Sequence, residues 1–166
     1  TIQQSDTTIC SGESIVLDVI PYDTFPGNLS GYTYKGEYNG SYYYLSNAGA
    51  TWHLAKQNCI NNGGHLATIS SAGENNFLNT IIPAYNHIWI GLSDHNIEGE
   101  YKWVNNELFI YPDWTSISWN GYGSSYDYCT IYSDNLTWSM QQDYNRPYLL
   151  EIDMAREYVP VLTDED

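Results

Sequence analysis

Residues 87–103 read HIWIGLSDHNIEGEYKW and give the clearest indication of the fold. Their apolar run, 88–92, is too short for a free helix and is rich in β-branched and aromatic residues, as in a buried central strand. A polar turn with two carboxylates, Asp94 and Glu98, follows this run. An alternation of aromatic and polar residues then resumes, which is typical of another strand. The stretch therefore predicts a core strand with an acidic turn at its end.

The overall charge of the chain limits the partners that it can bind. Five basic residues stand against 20 acidic ones in a chain of 166 residues, so the formal net charge is −15. A basic patch of the kind that nucleic acid requires cannot form, and an anionic membrane surface would repel the chain. No apolar run is long enough to span a bilayer. The sequence therefore predicts one domain with no nucleic-acid partner and no membrane insertion.

Aromatic residues make up 16% of the chain and include 17 Tyr and 6 Trp. A core of this size needs fewer, so several of them are expected on the surface. Two interpretations stay open at this point. One is a tyrosine-rich β surface, and the other is a recognition surface on which Tyr and Trp supply rigid contact area.

A hairpin and a helix are predicted upstream of the central strand. Aromatic and polar residues alternate over 31–45 around Asn39-Gly40, which is a strong hairpin signal. A helix follows, capped by Asn47 or Thr51, and the glycines at 63–64 end it. The residues at 52, 55 and 59 fall on one face of this helix at helical spacing.

A second helix is predicted between the first helix and the central strand. Ser71 and Glu74 form the sequence pattern of a capping box. The apolar residues at 77–78 and 81–82 form one face, and Pro83 stops the helix.

Downstream of the central strand, the sequence predicts further strands and one long loop. A hairpin is expected around Asn105-Asn106, leading into the apolar residues 108–110. Residues 114–128 read WTSISWNGYGSSYDY and show little periodicity, and such a loop in a compact domain is usually functional or disordered. Strand-like runs at 129–132 and 147–152 follow. The fold class is therefore predicted as α+β, with two helices packed on a mainly antiparallel sheet and one long displayed loop.

Apolar, glycine, acidic and cysteine residues recur in a fixed order over 52–151. They are Trp52, Ala55, Cys59, Gly63, Gly64, Leu66, Ala67, Ile69, Glu74, Phe77, Leu78, the run WIGL at 89–92, Tyr101, Trp103, Trp114, Cys129, Trp138 and the run YLLE at 148–151. In this combination and order the pattern resembles the C-type lectin-like domain. The resemblance implies the α+β fold of that family.

The chain divides into three predicted segments. Residues 1–30 contain a turn between two strand-like runs, then Pro21 and Pro26, and are interpreted as a linker or a partial immunoglobulin-like flanking segment. They resemble the opening strands of immunoglobulin-like repeats in large bacterial surface proteins, which implies that the rest is one module of a bacterial adhesin-type protein. Residues 31–153 are the predicted C-type lectin-like domain, and 154–166 are a C-terminal linker or tail.

The resemblance also implies the positions of a sugar-coordinating calcium site. Sugar-binding members use a Glu-Pro-Asn triplet, an acid two residues before the middle cysteine, and an Asn-Asp pair after a tryptophan. These positions correspond here to the Ser-Trp-Asn at 118–120, to Asp127, and to Ser139 and Met140. Asn120 and Asp127 remain as oxygen donors, but a thioether is a poor ligand for a hard cation. The primary calcium site is therefore expected to be degraded.

A second, auxiliary calcium site of the family uses a pair of acids in the turn after the central strand. Asp94 and Glu98 occupy those positions, and Asp127 could approach them across the loop. A weak calcium site built from these three residues is our hypothesis, and a solvated acidic turn is the alternative.

The three cysteines depart from the pattern of the family. The resemblance implies a partner for Cys59 where Leu150 stands and a partner for Cys129 near Asp143, and neither position holds a cysteine. Cys59 is then either a buried free thiol or paired with Cys10, and Cys129 is expected to be free. The sequence predicts no conventional disulfide.

Catalysis receives little support from the sequence. His53, His65, His87 and His95 stand at no metal-ligand spacing, and a glycine-rich phosphate loop and a nucleophile elbow are both missing. Each histidine is interpreted as a surface or core-edge residue. The chain is therefore predicted not to be an enzyme.

The resemblance and the composition predict an extracellular or cell-surface recognition module, part of a larger multidomain chain, whose partner is a glycan or a cell-surface protein. In the first hypothesis, aromatic rings of the loop stack on sugar faces, and oxygen atoms accept hydrogen bonds from hydroxyls. These ligand-binding residues are Trp119, Asn120, Tyr122, Tyr126, Asp127 and Asp134. The second hypothesis is a protein ligand, since Tyr, Ser, Gly, Asn and Trp dominate the loop as they dominate antibody paratopes. Ice binding, which some members of the family perform, is a third possibility.

Overall fold

The computed structural model describes residues 25–84, 87–110, 125–132 and 137–154. Within these ranges the chain forms two helices and two four-stranded sheets. The elements are β1 (Tyr32–Tyr38), β2 (Ser41–Ser46), α1 (Trp52–Asn61), β3 (His65–Leu66), α2 (Ala72–Ile81), β4 (His87–Ser93), β5 (Lys102–Trp103), β6 (Tyr128–Tyr132), β7 (Thr137–Gln141) and β8 (Leu149–Asp153). The strand orders are β1-β2-β8-β3 and β5-β4-β6-β7, and every named pair is antiparallel. The predicted α+β class is therefore confirmed. Neither helix is long and apolar enough to cross a bilayer.

The first hairpin forms where the sequence predicts it. Between β1 and β2, Asn39 has φ 48° and Gly40 has φ 90°, the left-handed values that a tight two-residue turn between twisted strands requires. The contacts of the domain begin before residue 31, because the Phe25 ring packs 4.7 Å from the Tyr34 ring, centroid to centroid. The Tyr44 hydroxyl also donates to the carbonyl of Gly27 over 3.0 Å.

Helix α1 is capped by Thr51 rather than by Asn47. The Thr51 hydroxyl accepts a hydrogen bond from the Leu54 amide, and the side chains of Trp52, Ala55 and Cys59 are buried as predicted. The cap satisfies one of the amides that the first turn of a helix leaves without a partner.

Helix α2 contains only half of the predicted capping box. The Ser71 hydroxyl accepts from the Glu74 amide over 3.2 Å. The Glu74 carboxylate, however, accepts from the amide of Ser70 over 2.8 Å and from the hydroxyl of Tyr43 over 2.7 Å. Glu74 is buried, so its carboxylate connects the start of α2 to the sheet instead of closing the box.

Strand β4 is the buried central strand that residues 88–92 predict. It lies between β5 and β6 and also contacts the other sheet, because the Gly91 amide donates to the carbonyl of Ala67 over 2.7 Å. A Cβ atom at Gly91 would lie 2.6 Å from the carbonyl oxygen of Leu66. The absence of a side chain at this position therefore permits the close approach of the two sheets.

The predicted hairpin at Asn105-Asn106 forms a turn without a returning strand. Asn106 has φ 64°, and its amide donates to the carbonyl of Trp103 over 3.2 Å. The following residues up to 110 form no strand, and Leu108 and Ile110 are 79% and 72% exposed. Their apolar character alone suggested a strand, but no described strand pairs with them and the core does not bury them.

Cys59 and Cys129 are both buried free thiols in the described part of the chain. Cys59 lies in the core cluster that contains Leu150, and Cys129 lies in the other core cluster. The prediction of a domain without the conventional disulfides agrees with this finding, while Cys10 lies outside the described residues.

A network of hydrogen bonds surrounds Glu151 on β8. Its carboxylate contacts the Tyr43 hydroxyl over 3.1 Å and accepts from the Thr68 amide over 2.9 Å. The Tyr43 hydroxyl has one proton and contacts the carboxylate of Glu74 as well as that of Glu151. It can donate to only one of them, so both contacts are hydrogen bonds only when the other carboxyl is protonated and donates to the hydroxyl. Burial raises the pKa of Glu151 to about 7, which makes it the group that binds this proton as the pH falls.

His65 on β3 lies beside the same carboxylate. Its Nδ1 is 2.9 Å from the carbonyl oxygen of Leu66, and its Nε2 is 3.1 Å from Oδ2 of Asp153. Both nitrogens face acceptors, so only the protonated ring can donate to both. Burial lowers the pKa of His65, but the hydrogen bond to Asp153 and the charge of Glu151 outweigh burial and raise it to about 9.

The histidine makes the stability of the domain depend on pH in the alkaline range. His65 keeps its proton up to about pH 9 in the folded state but only to about pH 6.5 in the unfolded chain. The contribution of protonated His65 to the free energy of unfolding is therefore fully present below pH 6.5 and is lost as the pH rises through 9. We expect the wild-type chain to lose about 2 to 3 kcal/mol more than His65→Gln between pH 7 and pH 10. Denaturant titration at both pH values measures this difference. Equal losses in the two proteins would contradict the assignment.

The two glycines that end α1 are needed for different reasons. Gly63 has φ 82° and open space within 4 Å of the position that a Cβ would take, whereas a Cβ at Gly64 would lie 2.1 Å from the carbonyl oxygen of Glu151. We expect Gly63→Ala to cost about 1 to 2 kcal/mol through backbone strain and Gly64→Ala to cost more than about 3 kcal/mol through displacement of β8. Chemical denaturation of the two variants measures both losses in the free energy of unfolding. A smaller loss in Gly64→Ala than in Gly63→Ala would refute the close approach of Gly64 to β8.

Candidate functional site

The acidic residues Asp94 and Asp127 are neighbours at one end of the second sheet. Asp94 directly follows β4, Asp127 directly precedes β6, and the strands pair Ser93 with Tyr128. The Asp94 amide donates to the carbonyl of Asp127 over 3.1 Å, which extends the pairing by one residue. The structure therefore brings together two of the three residues of the hypothetical calcium site.

Asp94 is held by its own turn. Its side chain is 3% exposed, and its Oδ2 accepts from the Gly99 amide over 2.9 Å. The other carboxylate oxygen, Oδ1, is buried and has no hydrogen-bond partner among the described residues. A buried anionic oxygen without a partner costs free energy, and a hard cation such as calcium binds carboxylate oxygens of this kind. The geometry of Asp94 therefore fits a cation ligand.

The closeness of the two acids affects the ionisation of the groups around them. Burial raises the pKa of Asp127, and the negative charge of Asp94 raises it further, against the opposing effect of His95. Burial and then the charge of Asp94 raise the pKa of Tyr101 to about 12, and the Tyr101 hydroxyl also forms a hydrogen bond with Asp94. Glu98 lies in the same turn with an exposed side chain. The end of the sheet therefore concentrates negative charge that a bound cation would stabilise.

Strand β7 carries Ser139 and Met140, the two residues predicted to occupy the positions of the Asn-Asp pair. Met140 packs against the core cluster of β4 and β6. The Ser139 hydroxyl lies 3.2 Å from the Thr130 hydroxyl and accepts from Gln141 over 2.9 Å. Neither residue supplies a carboxylate at this position.

Four of the predicted ligand-binding residues lie outside the described residues, namely Trp119, Asn120, Tyr122 and Asp134. Tyr126 and Asp127 are described, and both are half-buried. The role of all six in binding a ligand stays a prediction.

Four aromatic rings form a cluster beside the acids, which we call the histidine cluster. Its members are Trp52, His53, His95 and Tyr128, and the distances between their ring centroids range from 4.9 to 5.8 Å. The sequence does not indicate this cluster, because α1, the turn after β4 and the start of β6 are far apart along the chain. The pairing of β4 with β6 places His95 near Tyr128, and the packing of α1 on β4, where the Trp52 indole donates to the carbonyl of Ile90, adds Trp52 and His53. Nothing in the spacing of the histidines predicts this arrangement.

A second group of metal-ligand type lies on the other sheet. Ligand atoms of His65, Glu151 and Asp153 lie within 4.8 Å of one another, the one group of three with this property in the described ranges. Both nitrogens of His65 already face acceptors in the protein. This group is therefore an internal ion-pair cluster rather than an open metal site.

The family model described as Lectin C-type domain matches residues 48–150. Among curated relatives, C-type lectin domain family 4 member F of Rattus norvegicus is 42% identical over 74 residues, which are 45% of this chain and 13% of the relative. Lectin BRA-3 of Megabalanus rosa is 38% identical over 95 residues, which are 56% of this chain and 56% of the relative. The chain thus spans only part of the length of these relatives.

Solved structures show the same fold. A calcium-independent type II antifreeze protein superposes with a TM-score of 0.64 at 22% identity, covering 76% of this chain and 94% of that chain. The carbohydrate-recognition domain of cow CD23, crystallised in the presence of an oligosaccharide, superposes with a TM-score of 0.65 at 23% identity, covering 76% and 95%. At these identities the likeness concerns the fold alone.

The comparisons correct one expectation from the sequence. The two curated relatives described above come from eukaryotes, so the bacterial adhesin origin inferred from residues 1–30 is not supported. That inference came from a short run of strand-like residues, which many β proteins share. The family model, in contrast, matches most of the chain, and the observed elements follow the order that its pattern implies. This chain belongs to the C-type lectin domain family.

Proposed function

We propose that this chain is a non-catalytic, extracellular or cell-surface recognition domain that binds carbohydrate through residues of the segment 114–128. Calcium held by Asp94, Glu98 and Asp127 supports that segment at its base. The observation that carries the proposal is the buried Oδ1 of Asp94, which has no hydrogen-bond partner among the described residues and lies on a residue adjacent to Asp127.

The acids fit calcium better than they fit any softer cation. Calcium takes six to eight oxygen ligands from carboxylates, carbonyls and water. Asp94 offers a buried carboxylate oxygen, Asp127 is half-buried beside it, and Glu98 lies in the same turn. Bound calcium would offset the repulsion between the acids. Since Asp127 lies within the segment 114–128, the ion would also fix the end of that segment.

The carbohydrate part of the proposal is supported by the family and by the composition of the segment. Lectin BRA-3 is a lectin by name, and 56% of this chain aligns with it. In our proposal Trp119, Tyr122 and Tyr126 stack on sugar rings, because an aromatic face binds the apolar face of a sugar while its edge stays in water. Asn120, Asp127 and Asp134 accept hydrogen bonds from sugar hydroxyls. This mode of binding does not require an oxygen ligand at Met140.

A protein ligand is the second candidate function, and an observation on the surface favours it. Leu108 and Ile110 are 79% and 72% exposed just before the segment begins. Exposed apolar side chains beside a segment rich in Tyr, Ser and Gly are typical of surfaces that bind proteins. Ice binding is a third candidate, which measurement of thermal hysteresis tests directly.

The calcium site is tested by thermal unfolding with and without the ion. We expect calcium to stabilise the wild-type chain, by about 2.7 kcal/mol when its concentration is one hundred times the dissociation constant. Asp94→Asn should abolish this response. Without calcium the variant should be at least as stable as the wild type, because it removes a buried negative charge whose Oδ1 has no hydrogen-bond partner among the described residues.

The control for the calcium experiment is Glu37→Gln, which removes one exposed acid on β1 in the other sheet. It should keep the full response to calcium. If calcium leaves the unfolding temperature of the wild-type chain unchanged, or if Asp94→Asn responds like the wild type, the site is refuted.

Carbohydrate binding is tested on a glycan array, in calcium and in chelator. We expect the wild-type chain to bind a subset of saccharides and Trp119→Ala to lose that binding, because stacking on an aromatic ring contributes about 1 kcal/mol or more and several such contacts act together. The matched control is Tyr144→Ala, which removes an aromatic ring that is 59% exposed and lies outside the segment. It should bind like the wild type.

An array without hits, together with a protein partner that binds tightly in a pull-down and loses binding in Leu108→Ser, would favour the second candidate over the first. Binding that persists in Trp119→Ala would show that the sugar contacts lie elsewhere.

A further inference from the structure

His53 and His95 are paired on the surface of the histidine cluster. His53 lies in the first turn of α1, and His95 lies in the turn after β4. Their ring centroids are 5.6 Å apart, and the ring planes are inclined by 77°. The His53 side chain is 58% exposed, and His95 is also exposed. Solvent therefore reaches both imidazole rings.

In each ring, the Nδ1 atom is bound to a group that fixes the orientation of the ring. Nδ1 of His53 is 3.1 Å from the carboxylate oxygen Oδ2 of Asp143, and Nδ1 of His95 is 3.0 Å from the hydroxyl of Ser93. Neither Nε2 has a hydrogen-bond partner among the described residues. With Nδ1 as the donor, the lone pair of each ring lies on Nε2. Histidines that bind metals show the same arrangement, with the second nitrogen held by a carboxylate or another acceptor.

Two buried aromatic residues support the pair from below. The Tyr128 ring lies 5.1 Å from the His53 ring and 5.8 Å from the His95 ring, centroid to centroid. The Trp52 ring lies 5.6 and 5.8 Å from the same two rings. Trp52 and Tyr128 are buried, so the imidazoles rest on a rigid base. Little ordering entropy is then lost when a ligand binds both rings.

The distance between the centroids of the His53 and His95 rings matches the distance between two imidazoles that bind one metal ion. A nitrogen bound to zinc lies about 2.0 to 2.1 Å from the metal, which places the centres of two imidazoles on one ion about 5 to 6 Å apart. The negative charges of Asp94 and Asp127 lie near the His95 ring and would also favour a bound cation.

We propose that His53 and His95 bind a divalent transition-metal cation such as Zn²⁺ through their Nε2 atoms, with Asp143 and Ser93 as positioning residues. Imidazole ligands prefer zinc, copper and nickel to calcium, so this site is separate in chemistry from the acids at Asp94 and Asp127. Two protein ligands leave further coordination positions to water or to a donor atom of a bound partner. The site stands whether or not the chain binds carbohydrate.

The test is a calorimetric titration of the intact chain with zinc chloride in the presence of excess calcium. We expect one site in the wild-type chain, and a loss of affinity of at least tenfold in His53→Ala and in His95→Ala. Asp143→Asn should weaken binding about 10- to 100-fold, as for other groups that orient a metal-binding histidine. His65→Gln is the matched control, because it removes a histidine of the internal ion-pair cluster, and it should bind zinc like the wild type.

Failure to fold is checked by the unfolding temperature of each variant. In addition, the paramagnetic ion Ni²⁺ should selectively broaden the imidazole NMR signals of His53 and His95 in the wild-type chain, which requires no substitution. The absence of zinc binding, affinity unchanged in His53→Ala and His95→Ala, or affinity lost in His65→Gln would each overturn the proposal.

Discussion

The close approach of β4 to the other sheet at Gly91 is the constraint on which the rest of the structure depends. The backbone contact between Gly91 and Ala67 leaves no room for a side chain. On the same central strand, two indole hydrogen bonds connect β4 with α1 and with the residues just before it. Trp52 donates to Ile90 over 2.9 Å, and Trp89 donates to Ala50 over 3.0 Å. Both large side chains are therefore buried in the core with their indole N–H groups satisfied.

Two buried carboxylates of this domain have opposite environments. Glu151 accepts from the Thr68 amide, contacts the Tyr43 hydroxyl and lies 3.9 Å from Nδ1 of His65, so the fold itself compensates its charge. Asp94 has a donor for only one of its two oxygens in the described part of the chain. A buried charge is retained at a cost to stability unless something outside the chain compensates it. Glu151 therefore connects structural elements, whereas Asp94 is suited to bind a ligand.

The local elements could be predicted from the sequence because local chemistry determines them. The turn at Asn39-Gly40, the cap at Ser71 and the apolar run of β4 each depend on neighbouring residues. The pairing of His53 with His95 could not be predicted, because it depends on the packing of α1 against β4, where the Trp52 indole donates to the carbonyl of Ile90. The strand expected at 108–110 was wrong for a related reason, since hydrophobic character does not create a pairing partner.

The buried thiols of Cys59 and Cys129 have a consequence for how this domain can be made. No oxidative step is needed to complete the described core, and a reducing agent has no covalent link there to break. A disulfide would stabilise the fold by restricting the unfolded chain. Without one, the packing around both sulfur atoms must supply that stability. The described core should therefore be indifferent to the redox potential of its surroundings, while changes of volume at either sulfur should be poorly tolerated.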